Sequence, residues 1–196
     1  MLEKIISLDK QLLVYLNGLG SEKFDGFWLF ITKQSNWIPF FLVLLYLVYK
    51  KLGPKQTGIL ILFIAVLLTI NNGITEAFKA NFQRVRPCNS LDIKYIIRNI
   101  KPSDTFSFFS GHSSNTMAVF VFLYCIFKKH YKYFGFVILW PFVFSYSRIY
   151  LGLHYPTDIL AGYTCGIIMG FLTYKFYQFG QKRFFTPVSP FDVMGL

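Results

Sequence analysis

The chain has 196 residues, of which 54% are hydrophobic, 20% aromatic and only 15% charged, with a formal net charge of +11. A soluble domain carries roughly a quarter charged residues, so this composition describes an integral membrane protein. The surplus of base does not describe a nucleic-acid binder. Lys and Arg lie between apolar segments rather than along a stripe, a pattern that anionic headgroups and the positive-inside bias explain.

Residues 3–35 come first. Ile5, Leu8, Leu12, Tyr15 and Leu19 recur at helical spacing, as do Phe24, Phe27, Trp28 and Ile31, with Gly18, Gly20 and Ser21 between the sets. Each set reads as an amphipathic helix lying in the membrane interface, a sixth span being the alternative. Asp9 and Lys10 interrupt the first set and no small-residue cleavage site follows, so no signal peptide is expected. A bilayer crossing needs about 20 apolar residues, fewer where flanking side chains snorkel. Segments 57–78, 112–128, 133–150 and 156–178 meet that need, and 37–49, anchored by Trp37, Tyr46 and Tyr49, makes a fifth. The expected fold is all-α: a polytopic transmembrane helical bundle of five to six spans with amphipathic interfacial helices. No Pro/Gly/Ser-rich linker divides it, so 1–196 reads as one membrane-embedded domain.

Lys50, Lys51 and Lys55 form one basic turn, Lys128, Lys129 and Lys132 another, and Lys182 and Arg183 follow the last span. Placing all three clusters in the cytoplasm satisfies the positive-inside rule and leaves the C-terminus inside. Between spans, Ile93, Ile96, Ile97 and Ile100 share one helical face while Asp92, Lys94, Arg98 and Lys101 take the other. That stretch reads either as a loop packed on the rim or as a basic flap touching lipid headgroups. Cys88, Cys125 and Cys165 have neither disulfide-framework nor metal-ligand spacing.

Three polar islands interrupt this apolar chain, and the topology above puts all of them on the outer face. Lys79 and Arg86 stand two helical turns apart, before Pro87; Arg84 between them is the cation expected to snorkel. Ser110, a good N-cap, precedes Gly111 and His112 at the start of an apolar helix, where free N–H groups favour an anion. Arg148 closes a span, His154 lies in the following turn, and Asp158 comes four residues later, within reach of one ring nitrogen. Singly, each island has a bland reading as snorkelling cations, a structural histidine or a capping aspartate. Together they supply three cations suited to a phosphate and a histidine with a carboxylate to orient it. Ionisable groups at membrane depth are functional by default.

Lys79-x6-Arg86-Pro87, Ser110-Gly111-His112 and Ser147-Arg148-x5-His154-x3-Asp158 resemble the three-part signature of the type 2 phosphatidic acid phosphatase superfamily. The resemblance covers 79–158 and implies a helical bundle with its site at the outer membrane–water boundary. It further implies that Lys79, Arg86 and Arg148 hold phosphate oxygens, with Ser110 and Gly111 adding hydrogen bonds. His154 would be the nucleophile, Asp158 its partner and His112 the proton donor to the leaving group. Phe109 stands where the family usually has proline, which is expected to alter efficiency or substrate fit but not to remove activity.

The function implied is hydrolysis of a phosphate monoester or diphosphate on a membrane lipid, through a phosphohistidine. The partners expected are that lipid and the bilayer, with no nucleic acid, no cofactor and no metal. Short loops suggest a bacterial inner-membrane enzyme whose site faces the periplasm, with undecaprenyl diphosphate the favoured substrate. Phosphatidylglycerol phosphate, phosphatidate and lipid A phosphates are the alternatives. A non-enzymatic lipid-binding protein would not need His112, His154 and Asp158 together.

Overall fold

A computed structural model describes residues 2–184. Among them the helices are α1 (Leu2–Gly18), α2 (Asp25–Thr32), α3 (Ile38–Phe82), α4 (Gly111–Phe127), α5 (Leu139–Tyr150) and α6 (Pro156–Phe184), and no strand occurs. The C-terminus itself, expected on the cytoplasmic side, lies outside the described residues.

Two of the expected spans are the two limbs of α3. Gly53 takes φ 73° and ψ 174°, and Pro54 lacks an N–H, so the helical ladder breaks between them. Phe41, Leu44 and Val48 of the first limb and Leu60, Ile64 and Leu68 of the second line one groove. α4, α5 and α6 correspond to the remaining spans, with a 3-10 turn over Phe134–Ile138 leading into α5. Leu44, Leu67, Phe122, Phe127 and Phe144 form the buried core. Leu42, Val43, Leu62, Val66, Ile168 and Phe171 stand exposed on the outside. In water that belt would drive aggregation; in a bilayer it is the lipid-facing surface of a transmembrane bundle.

α4 and α6 pack more closely than any other pair, for a reason written in α6. Gly162, Gly166 and Gly170 recur every four residues on one face. A Cβ on Gly162 would lie 2.6 Å from the Ser110 carbonyl oxygen, and the other two would crowd the carbonyls of Ser114 and Ala118. Small residues at this spacing let two membrane helices bring their backbones together. The contact aligns the N-termini of α4 and α6, where the second and third islands sit.

α1 and α2 have the amphipathic character expected of them. α1 turns Ile5, Leu8, Leu12 and Tyr15 outward and buries Asp9, Leu13 and Asn17 against the bundle. α2, with 8 residues, is only about 12 Å long and spans nothing. The helical face expected over 93–101 does not form. The segment is a series of turns that buries Ile93 and Ile97 and leaves Ile96 exposed. Asn17 overrides the local periodicity: its Nδ2 donates to the carbonyls of Arg98, Ile149 and Tyr150, and its Oδ1 accepts the Arg98 N–H. Arg98 in turn pairs with Asp25 at 2.6 Å. Of the two readings, the rim-packed loop is the one the structure adopts, and Arg98 is not available to headgroups.

Candidate active site

Ser110 caps α4 by accepting the Ser113 N–H and hydroxyl, and its own N–H donates to the Asp158 carbonyl at 3.0 Å. That last bond ties the second island to the third. Gly111 is pressed against Thr75 of α3, whose methyl group would lie 2.9 Å from any Cβ there. His112 follows, half-buried, its ring stacked on Phe144 at 5.7 Å. Arg86 Nη1 of the first island lies 3.1 Å from His154 Nε2 of the third, which the Ser110–Asp158 bond joins to the second, so the three islands do converge.

His154 sits in a tight turn after α5, where Gly152 takes φ 71° and its carbonyl accepts the Cys88 N–H at 3.1 Å. Its ring is 1% exposed. Nδ1 lies 3.4 Å from Asp158 Oδ2, long for a hydrogen bond but within ion-pair range, and the Tyr155 N–H holds that same oxygen at 2.9 Å. Nε2 lies 3.1 Å from Arg86 Nη1. With Nδ1 protonated toward the carboxylate, Nε2 keeps a lone pair facing the cations. Burial, the largest influence, pushes the imidazole down to about 4; Asp158 pulls upward, and Arg86 and Arg148 push further down. The ring is therefore neutral at pH 7, as a nitrogen nucleophile must be.

Each arginine is held by groups the sequence did not single out. Arg86 donates from Nε to the Thr105 carbonyl and from Nη2 to its hydroxyl, both at 2.8 Å, and from Nη1 to the Leu153 carbonyl at 3.0 Å. Arg148 donates to the Thr32 hydroxyl at 2.6 Å, while its buried Nε has no protein partner. Lys79 pairs with Glu76 one turn earlier at 2.8 Å. Ser147 bonds back to the Phe144 carbonyl inside its own helix. Phe109, in the family's proline position, is buried and packs on Phe78.

Arg84 departs from its expected place. Instead of snorkelling, it bonds Asp158 Oδ1 at 2.6 Å, Asp9 Oδ2 at 2.7 Å and the Thr157 hydroxyl at 2.8 Å, lying 3.9 Å over the Tyr155 ring. A fully buried carboxylate needs a partner for each oxygen, and Arg84 serves the one His154 does not reach. Asp9 was readable as a carboxylate set among apolar residues of an interfacial helix. Thr32 and Thr105 carry no such signal.

The sequence matches the PAP2 superfamily over residues 58–182. The chain belongs to the PAP2 superfamily. A lipid A 4'-phosphatase of Bacteroides thetaiotaomicron is 34% identical over 187 residues, 93% of this chain and 81% of that one. An undecaprenyl-diphosphatase of Sulfolobus acidocaldarius is 27% identical, over 92% and 84% of the two chains. The crystal structure of a transmembrane PAP2-type phosphatidylglycerolphosphate phosphatase from Bacillus subtilis shares this fold, with a TM-score of 0.70 at 21% identity. It covers 92% of this chain and 89% of its own. This PAP2 chain is thus a membrane lipid phosphatase by family, and all three islands fall inside the matched region.

Proposed function

We propose that this PAP2 protein removes a phosphate monoester from an acylated saccharide lipid of the lipid A class, without a metal ion. For the chemistry, the observation that carries the reading is His154, with Nδ1 toward Asp158 and Nε2 facing Arg86. In the first step Nε2 attacks phosphorus in line and the bond to the leaving sugar oxygen breaks. Arg86, Arg148 and Lys79 neutralise the equatorial oxygens, Ser110 and Gly111 contribute hydrogen bonds, and His112 gives the leaving oxygen its proton. In the second, water attacks the phosphohistidine, His112 takes its proton, and inorganic phosphate leaves. Fixed cations do what magnesium does in other phosphoryl-transfer enzymes.

For the substrate, the reading rests on the 34% identity to a lipid A 4'-phosphatase along nearly the whole chain. It replaces undecaprenyl diphosphate, the sequence's favourite, which keeps second place through the Sulfolobus relative. A groove of about 620 Å³ opens beside His112 between the limbs of α3, α4 and α5, lined by Trp37, Phe41, Leu44, Trp140 and Phe144 among others. It has the dimensions and lining of a lipid-tail site. The lysine clusters support an outward-facing site and a cytoplasmic C-terminus in the inner membrane.

The test is phosphate release by the purified protein from a lipid panel, with EDTA present throughout. The 4'-phosphate of lipid A should be turned over at least about tenfold more efficiently than undecaprenyl diphosphate, and vanadate should inhibit. Preference for the diphosphate would reverse the substrate assignment, and loss of activity in EDTA, restored by magnesium, would remove the metal-free mechanism.

A further inference from the structure

The groove beside His112 is not uniformly apolar. Three of its polar lining residues, Asn72, Asn115 and Thr116, gather near its upper end, one helical turn below the catalytic histidine. Asn115 follows His112 by three positions on α4, about 4.5 Å along the axis. An amide facing hydrocarbon is costly unless something pairs with it, so its presence here asks for a partner.

In the structure the three amides are arranged as one relay of hydrogen bonds. The Ser114 hydroxyl donates to Asn71 Oδ1 at 3.0 Å, and the Cys165 thiol approaches the same oxygen at 3.5 Å. Asn71, fully buried, must then turn its nitrogen outward, and it donates to Asn115 Oδ1. Asn115 Nδ2 donates to Asn72 Oδ1 at 2.7 Å. All three amides therefore point the same way, and the relay ends on the Asn72 NH2, which has no partner among the described residues and is solvent- or lipid-accessible. A chain of aligned amides also polarises its last donor.

We infer that Asn72, with the second N–H of Asn115, reads the acyl linkage of the substrate, donating to the ester or amide carbonyl at the head of a chain held in the groove. The inference rests on the lipid-phosphatase reading above and adds to it a basis for choosing among lipids. A phosphorylated sugar or glycerol carrying acyl chains places carbonyls within a few ångströms of its phosphate. A polyprenyl diphosphate offers only hydrocarbon at this depth, which leaves the donors unsatisfied. Acylated lipids gain here, and prenyl lipids lose.

The experiment compares a diacylated glucosamine 4-phosphate with its carbonyl-free dialkyl counterpart in detergent micelles, and includes p-nitrophenyl phosphate. The wild-type protein should prefer the diacyl compound by about three- to tenfold in kcat/KM, the worth of one hydrogen bond. Asn72→Leu should bring that ratio close to one, and Asn72→Gln, which keeps the donors, should retain most of it. Equal turnover of the two lipids by the wild type, or an unchanged ratio in Asn72→Leu, would overturn the inference while leaving the phosphatase reading intact. Absence of turnover on all three compounds would instead overturn that reading and the inference with it. The wild-type ratio stands as a test even should the leucine variant fail to fold.

Discussion

Asp158 serves two partners. One carboxylate oxygen faces His154 and the other is gripped by Arg84, which Asp9 holds from a different helix. His154→Ala should abolish turnover, whereas Asp158→Asn should leave residual activity about 10⁴-fold below wild type, the scale seen when an orienting carboxylate is lost from a protease triad. Arg84 touches no substrate in this arrangement, so Arg84→Gln should lower kcat by about 10²-fold through misplacement and leave KM nearly unchanged. A rise in KM of similar size would mean that Arg84 binds phosphate directly. The depressed imidazole has a second consequence, for stability. Folded His154 titrates near 4 and the unfolded chain's histidine near 6.5, so the unfolded state binds more protons between those values. Stability conferred by the neutral ring is complete above pH 6.5 and falls as pH drops toward 4. Thermal unfolding in detergent at pH 7 and pH 5 should show this drop, and His154→Gln should reduce it.

Among the elements, the legible ones were those whose signal is local. Ionisable residues in an apolar chain are conspicuous at once, and the spans followed from length and lysine placement. The stretch 93–101 misled because its helical period of isoleucines is real in the sequence but loses to Asn17, eighty residues away, which holds both backbone groups of Arg98 while anchoring to the Ile149 and Tyr150 carbonyls of α5. Replacing Asn17 with leucine strands the Arg98 and Tyr150 carbonyls and the Arg98 N–H, while the Ile149 carbonyl keeps the Gly152 N–H; each stranded group is worth about 1 kcal/mol or more when buried unpaired. A drop in unfolding temperature well beyond that of Lys94→Gln should follow, measured in the same detergent; equal drops would deny Asn17 its role. The glycine ladder of α6 was in plain sight as Gly162-x3-Gly166-x3-Gly170. Its meaning depends on which helix lies opposite, and no pattern within α6 says that. Gly166→Val would set a side chain against the Ser114 carbonyl and push α4 from α6, separating His112 from His154. Turnover should fall even where the protein still inserts.

Across the whole molecule, the bundle's work is to hold three islands, set at helix ends and in the turns beside them, together at one end. The outward-facing site proposed above rests on the lysines of the other end. A membrane-impermeant thiol reagent should label a cysteine placed at Lys94 in intact cells but not one at Lys51 or Lys129, and the opposite pattern would put the site in the cytoplasm. The account's central claim, however, is chemical: phosphorus passes through His154 before it reaches water. The stereochemical course at phosphorus measures this directly, using an isotopically chiral phosphate ester and an acceptor alcohol in place of water. Two in-line displacements, each inverting, give net retention of configuration, which is the outcome expected here. Net inversion would mean a single direct attack on the substrate, and His154 could not then be the nucleophile.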